Sequence, residues 1–349
     1  MTEMTDLMER AEQRIGTSLR GKYLLVRVLG IGGMAAVYEA THRNGTRVAV
    51  KVLHREIASI WGGKQRFLRE GYIANQIRHP GVVRIIDDDE DADGTVFIVM
   101  ELLEGRTLES ELKACGGRMP AARVVAITDA LLDVLDASHA AGVVHRDIKP
   151  DNLFLTFGGM KVLDFGIARL ADSANATKSG QLMGTAEFVA PEQAGGLVRE
   201  IDARTDLFSV GAMMFTLISG ELVHRARTSI EYMVYAATKP ARSIVDAMPE
   251  VDRGLAEVID IALAFEKERR WASAKKMQTA LRSAAMGMEP TVSAPLGDLV
   301  HALQVEHERR QAVNARPTLP EMPRTRTEPL GSRSIDPPAE EPILLERRR

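Results

Sequence analysis

The stretch "VRVLGIGGMAAVYEA", residues 26–40, holds Gly30, Gly32 and Gly33, with Ala35 where a G-x-G-x-x-G motif would place its last glycine. What flanks it decides the fold. A Rossmann phosphate loop must leave a strand and open a helix inside a βαβ unit. Here "KYLLVRVLG" (22–30) reads as a strand, and so do "AAVYEATH" (35–42) and "TRVAVKVL" (46–53). The "RNG" between the last two is a hairpin signal. The glycines therefore sit at the bend of an antiparallel meander, and the Rossmann reading falls. Gly30 and Gly32 would let a ligand approach the backbone closely. A methyl at Ala35, on the return strand, is tolerated as long as its φ stays negative.

Further along, the apolar period lengthens. "PAARVVAITDALLDVLDASHAAG" (120–142) sets Val124, Ile127, Leu131, Leu135 and His139 at helical spacing, with Pro120 near its start and Gly142 as its stop. "DLFSVGAMMFTLISG" (206–220) and "GLAEVIDIALAF" (254–265) read the same way. A small β-rich lobe thus precedes a larger helical one. Residues 1–20 read as a polar extension with helical potential. From 317 on prolines crowd: Pro317, Pro320, Pro323, Pro329, Pro337, Pro338 and Pro342 are seven of the chain's 15. Such a segment buries too little apolar surface to fold alone, so 286–349 reads as a disordered tail, with a short amphipathic helix over 297–312.

The 349 residues, 45% of them hydrophobic, suffice for one large domain or two modest ones. A net charge of −3 and a pI near 6.3 argue against a nucleic-acid partner or an acidic membrane surface. Cys115 is the only cysteine, which excludes a disulfide framework and a multi-cysteine metal site. The polar, acidic start argues against a secretory signal. The longest apolar run, "VGAMMFTLISG" (210–220), falls short of the ~20 residues of a membrane span. A cytoplasmic protein is expected.

Lys51 lies in "VAVKVL", with Val50 and Val52 on the opposite strand face. A solvated edge charge is the plain reading; a functional lysine needs an anionic partner inside. "KQRFLREGYIANQIRH" (64–79) offers one, because Phe67, Ile73, Ala74 and Ile77 mark a helix face and Glu70 sits along it. A carboxylate there is either paired, since burying it alone is costly, or at a solvated stripe edge. In "VVHRDIKPDNLFL" (143–155) apolar residues bracket His145, Arg146, Asp147, Lys149, Asp151 and Asn152. Asp147 is suited to accept a hydroxyl proton, Lys149 to offset phosphate charge and Asn152 to hold a hard cation. "KVLDFGIA" (161–168) ends a strand at Asp164, just before Gly166. Asn152 and Asp164 together suit a Mg²⁺ ion that also binds nucleotide phosphates and water.

Other features have plainer readings. "DDDEDADG" (87–94) has EF-hand spacing from Asp89, with Asp91, Asp93 and Gly94 at positions three, five and six, but position twelve is Met100 in an apolar strand, so it reads as a solvated turn between strands. His79 reads as bracing a turn, and Cys115 as a small buried or partly buried residue.

Six motifs now stand in order: the glycine loop, V-A-V-K, the helix glutamate, H-R-D-I-K-P-D-N, D-F-G and A-P-E. Over residues 21–285 the chain resembles the bacterial eukaryotic-like (Hanks-type) serine/threonine protein kinases. The resemblance implies an α+β, bilobal kinase fold. Its N-lobe (21–103) would be a small antiparallel sheet with one key helix, and its C-lobe (104–285) larger and helical. It implies that the backbone of Gly30, Ile31, Gly32, Gly33 and Met34 covers the ATP phosphates, and that Lys51 grips them while paired with Glu70. Asp147 would take the substrate proton, Lys149 would stabilise the moving phosphoryl group, and Asn152 with Asp164 would hold Mg²⁺, or Mn²⁺ in its place. Val37 and Ala49 would roof the adenine and Phe154 floor it. Met100 would be the gatekeeper, with the Glu101 carbonyl and Leu103 amide as hinge contacts. Arg146 would receive an activation-loop phosphate on Ser173, Thr177 or Ser179, while Thr185 would contact Asp147 and Lys149. Glu192 with Arg270 would form a buried brace, and Asp206 would support the catalytic loop. The partners implied are ATP and protein substrates with Ser/Thr acceptors, with a homodimer for trans-autophosphorylation and tail-bound proteins compatible with the same reading. The alternative is a nucleotide-binding pseudokinase or signalling scaffold, although Lys51, Asp147 and Asp164 are all retained.

Overall fold

The strand signals around the glycine bend develop into a six-stranded antiparallel sheet ordered β1-β2-β3-β4-β6-β5. In the computed structural model of the chain, which describes residues 2–59, 62–165 and 186–286, its strands are β1 (Ser18–Leu19), β2 (Tyr23–Ile31), β3 (Ala35–His42), β4 (Arg47–Leu53), β5 (Ile85–Glu90) and β6 (Val96–Met100). Side chains alternate across a strand, so the sheet acquires two cores. Ala36, Tyr38 and Ala40 meet Val48, Val50, Val52, Phe97 and Val99 on one face. Ala35, Leu53, Val96 and Ile98 lie on the other, capped by Phe67. Full burial of one such aromatic side chain contributes roughly 1.5–3 kcal/mol.

Helices α1 (Thr2–Glu12), α2 (Arg55–Ser59) and α3 (Gly63–Ala74) accompany this sheet. The first twenty residues are not a separate extension. Leu19 pairs with Tyr23 across β1 and β2, and Leu19 and Ala11 are buried in the first sheet core. Their two apolar side chains find partners that composition alone does not reveal. The Arg43–Gly45 turn also differs in detail from a two-residue hairpin: only Gly45 is left-handed (φ 88°), and the Asn44 side chain accepts from the Thr46 amide at 2.9 Å.

Two predicted segments shift. The helix expected over 64–79 stops at Ala74, and Ile77, still buried, lies in the turn that follows. The acidic run 87–94 is only half a turn. Asp87–Glu90 belong to edge strand β5, and Asp91–Gly94 make the reversal. The acids are held by neighbours: Tyr23 donates to Asp87 at 2.9 Å, Tyr72 to Asp88 at 3.0 Å, and Arg20 to Asp89 at 3.1 Å. Charges on an edge strand also discourage pairing with another sheet.

The chain then crosses to a small sheet of β7 (Gly105–Thr107), β8 (Leu153–Thr156) and β9 (Gly159–Val162). Gly105 opens it at φ +150°, where an added Cβ would stand 1.9 Å from the Leu155 carbonyl oxygen, so no larger residue fits. The helices of this lobe are α4 (Leu108–Ala114), α5 (Ala121–Ala140), α6 (Pro191–Ala194), α7 (Ala203–Ser219), α8 (Ser229–Thr238), α9 (Ile244–Ala247), α10 (Arg253–Ala262) and α11 (Ala274–Met286). Helix α7 starts on the Asp202 cap, stops at left-handed Gly220 (φ 74°), and is buried from Thr205 to Ser219. A helix without a polar face belongs at the centre, and α5 and α10 pack on it, with α11 against both. Among the described residues no helix is long and apolar enough to cross a membrane. The tail from 287, including the helix expected at 297–312, lies outside the described residues.

Candidate active site

Register assembles the first half of the site. Val37 stands opposite Lys51, Lys51 opposite Ile98, and Ala49 opposite Met100. By the two-residue period these side chains share the face that meets α3. Lys51 Nζ lies 3.0 Å from Glu70 Oε1 and 2.7 Å from Asp164 Oδ1. Glu70 is thus a paired carboxylate; the solvated-edge reading falls. Burial pushes the Glu70 carboxyl up to about 7, with Lys51 acting against that rise and Asp164 adding to it. Burial opposes charge on Lys51 too, but the two carboxylates raise its affinity for the proton and it remains an ammonium ion. Asp164, whose side chain is half exposed, is held low by Lys51. With two carboxylates around one cation, Glu70 is the group that gains a proton first.

The glycine bend joins β2 to β3 through Gly32–Met34. His54 Nε2 bonds the Gly32 carbonyl at 2.9 Å, and the His54 amide donates to Met34 O at 2.9 Å, so the end of β4 anchors the bend. Ala35 keeps a negative φ and its methyl is buried among Leu53, Phe67, Val96 and Ile98. The residue that departs from the glycine pattern is therefore a core residue. Ala35→Gly is expected to cost about 1 kcal/mol of stability and to change ATP affinity by less than about tenfold; thermal unfolding and a nucleotide titration check both.

The second half is built on Asp206, fully buried in α7. Its carboxylate accepts the His145 amide at 2.8 Å, the Arg146 amide at 2.7 Å and His139 Nε2 at 2.8 Å. These bonds hold Arg146 in left-handed backbone (φ 68°), and Asp164 is left-handed as well (φ 42°). Each such non-glycine residue costs roughly 1–3 kcal/mol, and such strain clusters at functional sites. His145 joins the two strained loops. Its Nδ1 accepts the Asp147 amide at 3.2 Å, so Nε2 carries the proton and donates to Leu163 O at 3.0 Å. Its ring packs on buried Phe165 at 4.7 Å.

Asp147 is oriented by Asn152, whose Nδ2 donates to its carbonyl at 2.7 Å and to Oδ2 at 2.9 Å. Lys149 Nζ stands 3.5 Å from the same oxygen. Asn152 turns its amide nitrogen to Asp147, which leaves the amide oxygen for a cation. That oxygen and the Asp164 carboxylate are hard donors, the set a Mg²⁺ ion takes beside phosphate and water. Among the described residues no cluster of three or more His, Cys, Asp or Glu offers a complete protein metal cage.

In the linker between β6 and β7, the Glu101 carboxylate takes Lys161 at 2.7 Å and the Arg84 amide at 2.8 Å. Its side chain is thereby committed, and its amide donates to Arg84 O at 3.1 Å. Phe154 lies on β8, paired with Thr107 and Lys161. Arg146 Nε is buried with no hydrogen-bond partner among the described residues, and burial holds the basicity of this guanidinium down. Ser173, Thr177, Ser179 and Thr185 lie outside the described residues.

Glu192 and Arg270 form the expected brace, bidentate at 2.9 Å on both arms. His79 braces its turn, accepting the Gly81 amide at 3.0 Å and facing Asp133 at 3.2 Å. Cys115 is a partly buried free thiol. Three supports were not expected from the sequence: His139 on Asp206, His54 on the glycine bend, and Gln193, whose Nε2 donates to Arg146 O at 2.9 Å. The only signal for His139 was a polar residue on an apolar stripe.

A strand lysine locked to a helix carboxylate, above an aspartate-braced loop in a helical lobe, is the architecture of a protein kinase catalytic domain. Comparison with known proteins agrees. Residues 23–282 match the protein kinase domain family. Serine/threonine-protein kinase Pkn1 of Myxococcus xanthus is 39% identical over 271 residues, 76% of this chain and 38% of its own length. Serine/threonine-protein kinase PknA of Mycobacterium tuberculosis is 34% identical over 283 residues, 79% of this chain and 64% of its own. The crystal structure of the Mycobacterium tuberculosis PknI kinase domain aligns with a TM-score of 0.61 at 25% identity, covering 77% of this chain and 98% of that one. The chain belongs to the protein kinase family, among the bacterial Hanks-type serine/threonine kinases. It spans 38% and 64% of the length of the two curated relatives.

Proposed function

We propose that this chain is an active serine/threonine protein kinase that transfers the γ-phosphoryl group of ATP to Ser/Thr hydroxyls of proteins. The observation that carries the reading is the joint contact of Lys51 with Glu70 and Asp164, which supports a preformed cationic seat between the two lobes. The acceptor oxygen attacks the γ-phosphorus, the bond to the bridging oxygen of ADP breaks, and the hydroxyl proton passes to the Asp147 carboxylate. Lys51 holds the α/β-phosphates, and Lys149 offsets charge on the moving phosphoryl group. Asn152 and Asp164 would hold Mg²⁺, or Mn²⁺, which neutralises phosphate charge when bound. Val37, Ala49, Met100 and Phe154 enclose the adenine, with the Glu101 carbonyl and Leu103 amide as its polar contacts and the Gly30–Met34 backbone over the phosphates.

Regulation follows from Arg146. Its Nε, without a partner among the described residues, suits a phosphate on Ser173, Thr177 or Ser179, added by a second copy of the chain, while Thr185 would contact Asp147 and Lys149. A cytoplasmic location and protein partners for 286–349 belong to the same proposal. A pseudokinase scaffold is the second reading, and retention of Lys51, Asp147 and Asp164 weighs against it.

The test is radiolabel transfer from ATP·Mg²⁺ to the chain itself and to a generic basic protein, beside Lys51→Met. Wild type is expected to exceed the variant by at least about a hundredfold, since the variant loses charge stabilisation of the phosphates. Equal rates with intact nucleotide binding would establish the scaffold reading instead. Mass spectrometry of 170–186 in active protein is expected to find phosphate; an unmodified segment in fully active enzyme would sink the regulatory part.

A further inference from the structure

His54 follows β4 directly, three residues after Lys51. Its backbone is fixed on both sides. The amide donates to Met34 O at 2.9 Å, and the carbonyl opens α2 by accepting the Ile57 amide at 3.1 Å and the Ala58 amide at 3.0 Å. From that base the half-buried ring reaches the glycine bend, with Nε2 2.9 Å from the Gly32 carbonyl oxygen. A carbonyl can only accept, so Nε2 carries the proton and donates it.

The group held in this way is the one least able to hold itself. Gly32 and Gly33 are neighbours, and neither lies in left-handed backbone. A peptide unit between two glycines turns over at little steric cost, because the turned state needs a positive φ that glycine takes freely. Packing does not choose between the two orientations either. A Cβ added to Gly33 would meet nothing within 4 Å, and one added to Gly32 only the Ala35 carbonyl oxygen, at 3.6 Å. The bond from His54 does choose. In a trans peptide unit C=O and N–H point opposite ways, so a Gly32 carbonyl held on the ring aims the Gly33 amide away from it. Other polar groups of the bend are committed: the Gly32 amide donates to Ala35 O at 2.9 Å, and Met34 O accepts from His54. The Gly33 and Met34 amides donate to no group among the described residues. They are the donors left for an anion. A turned Gly32–Gly33 peptide would offer that anion a carbonyl oxygen, replacing a charge-assisted hydrogen bond with repulsion.

We propose that His54 is a positioning residue for the nucleotide, clasping the Gly32 carbonyl so that the Gly33 amide stays presented to a phosphate. The proposal rests on the reading of the bend as the cover of the ATP phosphates. Without the clasp only a fraction of the chains holds the binding orientation. Apparent affinity falls by that fraction, while saturating nucleotide selects the orientation back. The loss therefore belongs in KM and not in kcat.

Two variants of the full chain separate the donor from the ring. His54→Phe keeps an aromatic ring and removes the N–H, and His54→Gln keeps an N–H donor without the ring. Both are compared with wild type in ATP·Mg²⁺ transfer kinetics and in titrations with ATP and with adenosine. His54→Phe is expected to raise KM and Kd for ATP about three- to tenfold, with kcat within about twofold of wild type. His54→Gln is expected to recover most of that loss. Glutamine carries no charge, so the recovery comes from the donor rather than from a histidine charge near the phosphates. Adenosine, which has no phosphate to meet the bend, is expected to bind all three proteins within about twofold. His54→Phe that handles ATP like wild type overturns the proposal, as does His54→Gln as weak as His54→Phe. A loss shared equally by adenosine also overturns it, because the damage would then be general to the cleft. Failure of the kinase reading looks different: wild type itself would bind ATP no better than adenosine and transfer no phosphate, and the proposal would fall with it.

Discussion

Asp147→Asn is expected to lower kcat by about 10²–10⁴-fold, the usual contribution of a positioned general base, with ATP affinity kept within roughly tenfold. The argument is local. In wild type Oδ2 of Asp147 is fixed by Asn152 at 2.9 Å and lies 3.5 Å from Lys149 Nζ, so one carboxylate oxygen is oriented by donors. An asparagine is isosteric, keeps the Asn152 contact to the main-chain carbonyl at 2.7 Å, and cannot take up a proton. Nucleotide contacts assigned to Lys51 and the glycine bend lie on the other lobe and are untouched. Single-turnover transfer beside an ATP titration separates the two effects. A fall of less than about tenfold in kcat would remove Asp147 from the role of proton acceptor.

Much of this site was legible because its chemistry is written in contiguous runs. The strand after the glycine bend, rather than the glycines, revealed the meander; the β3–β4 register then brings Val37 to Lys51, while Ala49 meets Met100 through the separate β4–β6 pairing. Alternation put Lys51 on the face away from Val50 and Val52. Its partner was open in the sequence, since a carboxylate on an apolar stripe is equally a stripe edge; only the folded distance of 3.0 Å decides it. What stayed hidden was long-range. Leu19 and Ala11 are two apolar residues in a polar stretch, and nothing local tells that they join a core with Phe97. His139 is an apolar-stripe position until α7 brings Asp206 to it, 67 residues later. The acids at 87–90 read as a turn because their tyrosine and arginine partners lie in other elements. Propensity lost to tertiary context in each case, and in each the loss concerned support rather than the chemical groups.

The largest stability effect is expected at the brace of the helical lobe, where Arg270→Ala should cost about 3–5 kcal/mol, the range for removing one partner of a buried ion pair. Arg270 is wholly buried at its side chain, and all five of its N–H groups are used. Two reach Glu192 at 2.9 Å, and the others reach the carbonyls of Ala264 at 2.8 Å, Arg204 at 3.2 Å and Phe265 at 3.0 Å. Its guanidinium also lies 4.9 Å over the Phe208 ring. Alanine abandons three carbonyls and leaves the Glu192 carboxylate buried with the Thr205 hydroxyl, at 2.7 Å, and its own backbone amide as donors. For a domain of this size each kcal/mol moves the melting temperature by roughly 2–4 °C, so a drop of about 10 °C is expected. The pH dependence carries a sign. Burial works against the charge of Glu192, yet Arg270 holds its carboxyl below the ordinary range in wild type. That stability is present above the unfolded carboxyl value and is lost as pH falls through the lower folded one. Without Arg270 the burial cost, the largest influence on this carboxyl, is opposed only by the Thr205 hydroxyl and a backbone amide and raises it, so the variant gains relative stability when Glu192 is protonated. The gap between Arg270→Ala and wild type is therefore widest near pH 7 and narrows toward pH 5, and Glu192→Gln in the variant background restores part of the loss. Urea midpoints at the two pH values check this; a gap independent of pH would mean that the lost carbonyl bonds, and not the stranded carboxylate, dominate the brace.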